Sequence, residues 1–337
     1  MRVDCRIVTL LAGDGVLPFN GLIIKLDLEN AGIANVLKGS RGLAKIISEF
    51  NPDIVQANAG DTAKVAVISK LIYRWHQPII FRNASTISGY MKKRSAKLFY
   101  SGIFRFVARV ISVSETSKID FVKNFPFIHN RITHIPIGVN IDTSTDRHDP
   151  YPERLGARLV HVGGFTFEKN HYALINIFRV IRKEHPEARL WLVGSGKLKP
   201  EIEQHVEKEG LSNHVFFAGQ VSNPLDYIGY ADVLLLPSLI EGLPAVILEA
   251  MLVKTPVVAY NVGGVSEVVA NRSTGILVEK DDETTFAHAV GDILKNSTEC
   301  RAMVDRAYEM VIERFSNGAI AHNFLNEYTK LLTEQKE

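Results

Sequence analysis

The chain has 337 residues, of which 46% are hydrophobic and 23% are charged. This composition excludes a disordered chain, a collagen-like repeat and a coiled coil, and the length predicts two domains. The formal net charge of +2 is divided unevenly, since residues 1–145 carry 19 Lys/Arg and 10 Asp/Glu whereas residues 146–337 carry 20 and 27. Opposite signs in the two halves indicate domains with different partners.

The sequence predicts neither a signal peptide nor a membrane-spanning helix. Asp4 and Arg6 interrupt the apolar region that a signal peptide would need, and no run of 18 apolar residues predicts a membrane-spanning helix. The two cysteines, Cys5 and Cys300, are too few for a disulfide framework or a zinc site and fit a reducing compartment. We therefore expect a cytoplasmic protein.

Short β-branched runs alternate with helical patterns in both halves, which is typical of parallel α/β sheets. Strands are predicted in the first half at 5–10, 53–56, 79–82, 110–113 and 132–135, with helices at 42–50 and 62–75. In the second half, strands are predicted at 158–162, 188–193, 215–218, 233–237, 257–260 and 275–278, with helices at 172–185 and 200–209. Apolar spacing predicts a closing amphipathic helix at 318–333.

These elements predict an α/β protein with two Rossmann-like domains that face a cleft. Residues 1–140 form the first domain, residues 141–157 a linker rich in Gly, Pro and Asp, and residues 158–315 the second domain. Residues 316–337 are expected to cross back to the first domain. In such sheets ligands bind at the carboxyl ends of the strands, so chemistry is expected there.

The segment 234–256 predicts an anion site. A buried strand ends at Pro237, a loop carries Glu241 and Gly242, and a helix is expected to begin at about Pro244. The N–H groups at the start of a helix attract anions. Glu249 lies about 7–8 Å further along the helix, so the two carboxylates flank a site of the size of a diphosphate.

The string EGLPAVILEA at 241–250 resembles the E-x7-E motif of the retaining glycosyltransferases of family 4, which have the GT-B fold. The family's first phosphate loop is similar to 161–171, its VGxG turn to 192–196 and its base-side loop to 217–220. The likeness extends over about residues 42–335 and is thinner in the first half, where the family places the acceptor side. Members also open with a strand, a Gly-rich loop and a helix before the segment that resembles residues 3–10, so the first domain is expected to be shortened.

The resemblance implies a role for each matching position. Glu241 and Lys169 would be catalytic, with Glu241 binding hydroxyls of the donor sugar and Lys169 neutralising the departing diphosphate. Glu249 would accept hydrogen bonds from the ribose hydroxyls. The remaining donor-binding positions would be Gly163, Gly164, Gly194, Gly219, Val221, Gly242, Leu243 and Pro244.

Two substitutions depart from the family's pattern. Gly164 stands where members usually have Arg, so one cation for the diphosphate is missing or comes from elsewhere. Asn83 stands where members often have His, and Arg82 beside it is a candidate substitute cation on the acceptor side. Both departures bear on activity and leave the fold prediction unchanged.

The expected reaction is transfer of a sugar, with retention, from a nucleotide diphosphate sugar to a hydroxyl of a lipid-linked or surface polysaccharide precursor. UDP-sugar is the expected donor, as substrate, and no cofactor is expected. No Asp-x-Asp motif or His cluster predicts a metal, so Lys169 would take the part of Mg²⁺. The alternatives are a non-catalytic sugar-nucleotide-binding subunit of another transferase, an epimerase, and a dehydrogenase suggested by Gly194-Ser195-Gly196 alone.

The segment 82–109 carries seven basic residues and no acidic one, interleaved with aromatic residues. This pattern favours docking to an anionic membrane, which would give a transferase access to lipid-linked acceptors. An aromatic stripe in the core with a solvated basic face is the alternative. A nucleic acid would satisfy the charge as well, but none is expected as a partner.

Overall fold

The structure is a computed structural model that describes residues 3–12, 19–30, 32–91, 93–142, 147–152 and 156–335. Contacts divide the chain into two compact units. Unit 1 comprises Met1–Ser112, Lys118–His134 and Asn326–Glu337, and unit 2 comprises Val113–Ser117 and Ile135–Leu325. Residues 143–146 and 153–155 of the predicted linker, and Lys92 of the predicted basic segment, lie outside the described residues.

Unit 1 contains two parallel sheets. Strands β1 (Arg6–Leu11) and β2 (Leu22–Leu28) pair with each other, and β3 (Val55–Ala57), β4 (Ile79–Asn83), β5 (Arg109–Ser112) and β6 (Ile132–His134) form a second sheet in that order. The helices are α1 (Ile33–Phe50), α2 (Gly60–Tyr73), α3 (Arg94–Arg105) and α4 (Glu115–Asn124), whose first residues are grouped with unit 2.

Two parts of unit 1 differ from the predictions. Strand β2 was not predicted, and α1 begins at Ile33 instead of Gly42. Gly39 and Gly42, which weaken a helix in isolation, lie on the side of α1 that faces β2. A Cβ at these two positions would come within 2.8 Å of Leu28 and 2.9 Å of Leu26, so tertiary packing overrides local propensity here.

Unit 2 contains one parallel sheet of six strands with the order β12-β11-β10-β7-β8-β9. The strands are β7 (Arg158–Val162), β8 (Arg189–Val193), β9 (Val215–Gly219), β10 (Val233–Leu236), β11 (Val257–Tyr260) and β12 (Ile276–Val278). The helices are α5 (His171–Glu184), α6 (Lys199–Lys208), α7 (Pro224–Gly229), α8 (Ala245–Leu252), α9 (Glu283–Lys295), α10 (Ser297–Arg314) and α11 (Asn317–Glu334). Successive strand residues face opposite sides, so Leu159 joins one core cluster and Val160 the other.

The strand order of unit 2 places a topological switch point between β7 and β10. The chain proceeds from β7 outward through β8 and β9, and then returns to the other side of β7 through β10. In doubly wound sheets the loops that follow the two strands at such a point diverge and leave a crevice, which is where ligands bind. The predicted donor site lies in these two loops.

The last helix contributes residues to both units. Residues Asn326–Glu334 of α11 belong to unit 1, where Arg109 forms an ion pair with Glu327 at 3.0 Å and donates a hydrogen bond to Glu334 at 2.5 Å. Tyr328 of the same helix donates to Gln56 of β3 at 2.5 Å. The two Arg109 ion pairs and the Tyr328 hydrogen bond therefore fix the end of α11 on the β3–β6 sheet.

Candidate functional site

The loop after β7 carries the predicted first phosphate loop. The Gly163 N–H donates to Val193 at 2.9 Å, which continues the β7–β8 pairing into the loop. A Cβ on Gly163 would lie 3.0 Å from His161 Nε2 and 3.3 Å from the Lys169 stem, so the close approach favours glycine. A Cβ on Gly164 would meet only ordinary contacts of 3.5 Å or more. The vacant direction at position 164 therefore has room for a side chain.

Lys169 and Glu241 form an ion pair of 2.6 Å across the switch point. The Glu241 side chain is 8% exposed and that of Lys169 is 23% exposed. Two further hydrogen bonds join the same loops. The Leu239 N–H donates to the Glu168 carbonyl at 2.7 Å, and the Asn170 side-chain Nδ2 donates to the Pro237 carbonyl at 3.1 Å. The two residues predicted to be catalytic are thus brought together, although they stand 72 positions apart.

The backbone of Gly263 and Gly264 contacts the loop that carries Glu241. Gly264 N–H donates to the Gly242 carbonyl at 2.9 Å. A Cβ on Gly263, whose φ is +55°, would lie 1.9 Å from the Glu241 carbonyl oxygen. Because only glycine has no Cβ and adopts this φ freely, the position fixes the path of the Glu241 backbone.

Helix α8 begins at Ala245, one residue later than predicted, and Pro244 is the residue before it. The first N–H groups of a helix, here those of Ala245 and Val246, have no partner within the helix. Together with the helix dipole they provide donors for an anion next to Gly242 and Leu243. Glu249 lies on the same helix, and burial raises the pKa of its carboxyl group.

The predicted VGxG turn and base-side loop lie at the ends of β8 and β9. Gly194 N–H donates to the Gly219 carbonyl at 2.8 Å. A Cβ on Gly194, whose φ is +142°, would lie 2.2 Å from the Gly163 carbonyl oxygen. Nothing lies within 4 Å of a Cβ on Gly219. Val221 packs against the core cluster that contains Val160. The three loops after β7, β8 and β9 therefore meet, and Gly194 permits the contact.

His161 and His171 flank the first phosphate loop, with His161 in β7 and His171 at the start of α5. His161 Nδ1 donates to the Leu235 carbonyl at 2.9 Å, and His171 stacks on Phe165 with ring centroids 4.2 Å apart. Burial and the Lys169 charge lower the pKa of His171 to about 4, and burial holds that of His161 well below its usual value. Both rings are therefore neutral at physiological pH.

Glu267 is a residue whose contacts the sequence did not indicate. Its carboxylate accepts hydrogen bonds from the Glu115 and Thr116 N–H groups, both at 2.8 Å. It therefore caps the start of α4 with two charge-assisted bonds, in the manner expected of an acidic group at a helix N-terminus. The partners are 151 and 152 positions away, so only a three-dimensional structure reveals them.

The predicted acceptor-side residues, Arg82 and Asn83, are at the carboxyl end of β4 in unit 1. Asn83 is buried, and its Nδ2 donates to Ser112 Oγ on the neighbouring strand at 3.2 Å. Burial lowers the pKa of the Arg82 guanidinium group. Their roles toward an acceptor stay predictions.

Helix α3 separates the aromatic residues of segment 82–109 into two groups. Ile103 and Phe104 are buried in the core of unit 1. Leu98 is 76% exposed and Phe99 is 48% exposed. One part of the aromatic stripe is thus core, as the alternative interpretation predicted, and the other part is free for a partner.

In the part of the chain that the structure describes, no helix is long and apolar enough to cross a membrane. Within the same part, no group of three His, Cys, Asp or Glu side chains is arranged to hold a metal ion.

Two family models match the chain. Residues 8–143 match the model described as Glycosyltransferase Family 4, and residues 153–310 match the one described as Glycosyl transferases group 1. The two matches fall on different halves of the sequence and together leave out only short segments.

Curated relatives are glycosyltransferases of several kinds. The chain is 32% identical over 178 residues to the N-acetyl-alpha-D-glucosaminyl L-malate synthase of Bacillus anthracis, which covers 53% of this chain and 46% of that protein. It is 23% identical over 238 residues to the capsular polysaccharide biosynthesis glycosyltransferase CapM of Staphylococcus aureus, covering 67% and 63%. The chain thus spans less than two thirds of the length of these relatives.

Solved structures show the same fold. Sucrose-phosphate synthase from Thermosynechococcus elongatus superposes with a TM-score of 0.82 at 20% identity, covering 98% of this chain and 89% of that one. HepE from Anabaena in complex with UDP-glucose gives a TM-score of 0.78 at 19% identity, covering 92% and 86%. The predicted GT-B fold, with two parallel-sheet α/β domains, is confirmed.

Proposed function

Because a Glycosyltransferase Family 4 domain is followed here by a Glycosyl transferases group 1 domain, we propose that the chain is a retaining glycosyltransferase. Its donor is a nucleotide diphosphate sugar, with UDP as the nucleotide, and its acceptor is a hydroxyl of a lipid-linked or surface polysaccharide precursor. The activities named for the relatives and the UDP-glucose bound to HepE support this choice.

The observation that carries the proposal is the Lys169–Glu241 ion pair beside the start of α8. A diphosphate at this helix end meets backbone donors and one flexible cation, and a sugar attached to it meets a carboxylate that accepts from hydroxyl groups. A buried ion pair of this kind contributes little net stability, because removing two charges from water offsets their attraction. Its position at the switch point is better explained by ligand binding.

The chemistry follows from where charge develops. The bond between the sugar's anomeric carbon and the diphosphate oxygen breaks, and the acceptor oxygen forms a new bond on the same face. The departing diphosphate gains negative charge, which Lys169 and the α8 N–H groups stabilise, and its oxygen takes the acceptor's proton. Glu241 turns from Lys169 to the sugar hydroxyls as the donor enters. No metal is required in this scheme.

The proposal includes docking of the chain to an anionic membrane, where a lipid-linked acceptor would lie. Exposed Leu98 and Phe99 on α3 lie beside the exposed basic residues Lys93, Arg94 and Arg105. Apolar side chains flanked by cations suit the headgroup region of an anionic bilayer. Flotation with liposomes that contain 30% anionic lipid tests this, and Leu98→Glu with Phe99→Glu should abolish co-flotation. Binding to RNA instead of liposomes would contradict it.

Donor binding and hydrolysis test the main proposal. Purified protein is incubated with UDP-, GDP- and other nucleotide sugars, and both the thermal shift and slow release of free sugar are recorded. We expect a shift and hydrolysis with one donor, and loss of hydrolysis in Glu241→Ala and Lys169→Ala. The matched control is Lys295→Ala, which breaks the exposed Lys295–Glu184 pair of 2.7 Å between the ends of α9 and α5.

The result separates the transferase from the non-catalytic subunit, an alternative that Gly164 in place of Arg favours. Binding without hydrolysis, with a panel of glycan acceptors added as well, would favour the subunit. No binding of any nucleotide sugar would contradict both. Equal loss in Lys295→Ala and Lys169→Ala would show that the hydrolysis depends on general stability.

A further inference from the structure

A groove of about 620 Å³ lies in unit 1 where the ends of α1 and α2 approach each other. Both helices end there in left-handed residues, Asn51 and Arg74, before the chain turns toward β3 and β4. The groove is thus near the amino ends of these strands, whereas Arg82 and Asn83 stand at the carboxyl end of β4. It is therefore separate from the position expected for acceptor chemistry in this sheet.

The floor of the groove is held by a polar network. Lys70 Nζ donates to the carbonyl oxygens of His76 at 2.9 Å and Gln77 at 2.6 Å. Trp75 Nε1 donates to Ser69 Oγ at 3.1 Å, and its ring lies 5.1 Å from the Lys70 ammonium. The segment after α2 is therefore fixed, although it is at the surface, and it presents Trp75 in one orientation.

One buried polar atom in the groove has no partner. Gln77 is 4% exposed, and its Nε2 donates to Asn51 Oδ1 at 3.3 Å. Its Oε1 finds no hydrogen-bond donor among the residues that the structure describes. A buried amide oxygen left unpaired is costly, and a ligand's donor would relieve that cost after the Gln77 side chain turns to expose the oxygen.

The walls combine aromatic rings with positive charge. Tyr73 is 44% exposed, and it lines the groove together with Trp75. Arg41 and Lys45 are the basic residues of the lining, and no carboxylate is among the lining residues, although Glu49 outside the lining is 3.8 Å from the Lys45 ammonium. Rings, amides and two cations in one open groove match a ligand with flat apolar faces, hydroxyl groups and one or two anionic groups.

We propose that this groove binds an acidic oligosaccharide, as a second glycan site that holds the acceptor or product chain away from the reacting end. This inference rests on the proposed function for its choice of ligand. Sugar rings pack on Tyr73 and Trp75, and a carboxylate of the ligand pairs with Arg41 and, in exchange for Glu49, with Lys45. A nucleic acid is disfavoured because strand-binding grooves need a track of cations longer than two residues.

Calorimetric titration of the full chain with tetragalacturonate, maltotetraose and an oligo(dT) tests the proposal. We expect binding of tetragalacturonate that weakens as the salt concentration rises from 50 to 500 mM, and no detectable binding of neutral maltotetraose. The double variant Arg41→Ala/Tyr73→Ala should weaken binding at least tenfold, whereas Tyr73→Trp, which keeps a ring, should retain it.

The matched control is Arg301→Ala/Tyr172→Ala in unit 2, which removes the same charge and an aromatic ring of similar exposure. It should leave tetragalacturonate binding unchanged. Absence of binding by the unaltered chain, equal loss in the control, or tighter binding of oligo(dT) would overturn the proposal. Thermal shift with nucleotide sugars separates the two hypotheses, because Arg41→Ala/Tyr73→Ala should bind a donor like the unaltered chain even where the groove has lost its ligand.

Discussion

The carboxyl ends of the strands differ in how the two units use polar side chains. In unit 2, Lys169 and Glu241 follow their strands in separate loops and meet each other at 2.6 Å. In unit 1, Asn83 is still inside its strand and its amide is bonded to Ser112 of β5. A polar group in a loop can exchange its partner for a ligand, whereas one bonded within a sheet is part of the scaffold.

The backbone shows the same contrast. Among the described residues, every glycine with φ in the left-handed region lies in unit 2, and Gly194 and Gly263 both approach a neighbouring loop. Loops that must pass close to one another constrain the sequence strongly, and this explains why the family resemblance is more specific in the second half.

The largest effect is expected at Gly263. A side chain there requires a strained φ and overlaps the Glu241 carbonyl oxygen, so Gly263→Ala should lower the free energy of unfolding by about 3 kcal/mol or more. Urea unfolding followed through Trp191 fluorescence in a Trp75→Phe background reports on unit 2, and Trp75 fluorescence in a Trp191→Phe background reports on unit 1. In unit 1, Gly102→Ala on α3 meets nothing within 4 Å and should stabilise by about 0.5–1 kcal/mol. Similar changes in the free energy of unfolding for Gly263→Ala and Gly102→Ala would contradict the difference between the two units.

Acid should destabilise unit 2 through its buried histidines. His171 has a pKa of about 4 in the folded chain against 6.5 ordinarily, so the unfolded chain takes up a proton first as the pH falls. Stability should therefore be independent of this group above pH 6.5 and decrease between pH 6.5 and 4, by up to about 3 kcal/mol. Unfolding at pH 7.5, 5.5 and 4.5 measures this, and His171→Phe should flatten the profile. An unchanged slope in that variant would contradict the assignment.

Variants of the Lys169–Glu241 ion pair should separate its effect on the free energy of unfolding from its role in donor hydrolysis. Lys169→Met leaves the Glu241 carboxylate buried and unpaired, which should lower the free energy of unfolding by about 2–3 kcal/mol. Lys169→Met/Glu241→Gln should recover most of that stability, because no lone charge remains, while donor hydrolysis stays lost. A double variant that hydrolyses donor would show that the pair is purely structural.

Much of the fold was predictable because its strands are short runs of apolar, often β-branched residues that alternate with helical patterns along the sequence. Strands β7 and β11 have the predicted bounds, and the closing helix α11 differs by one residue at each end. The predicted helix began at Gly42 and left out residues 33–41, where Gly39 is a poor helix former. The advantage of Gly39 and Gly42 appears only when Leu28 and Leu26 of β2 pack against them.

The site was predictable residue by residue only where a motif fixes it. The resemblance named Lys169 and Glu241, but no sequence pattern states that they touch or that Gly263 supports the second of them. Contacts between Glu267 and the start of α4 are equally invisible, since they join residues more than 150 positions apart. Long-range partners depend on topology, and a single sequence carries no covariation from which to infer them.

The smallest effects come from restoring the family's residue at one position in each unit. Asn83→His places a larger ring at a position that is 3% exposed, so it should cost about 1–2 kcal/mol and lose the bond to Ser112. Gly164→Arg projects into a direction where the nearest atom, the Ser195 carbonyl oxygen, is 3.5 Å from the new Cβ. It should change the free energy of unfolding by less than about 0.5 kcal/mol and strengthen UDP binding through a second cation. Gly164→Gln, which has a comparable reach without the charge, is the control for that gain. Titration with UDP and with uridine measures it, and an equal change for both ligands would show that position 164 does not face the diphosphate.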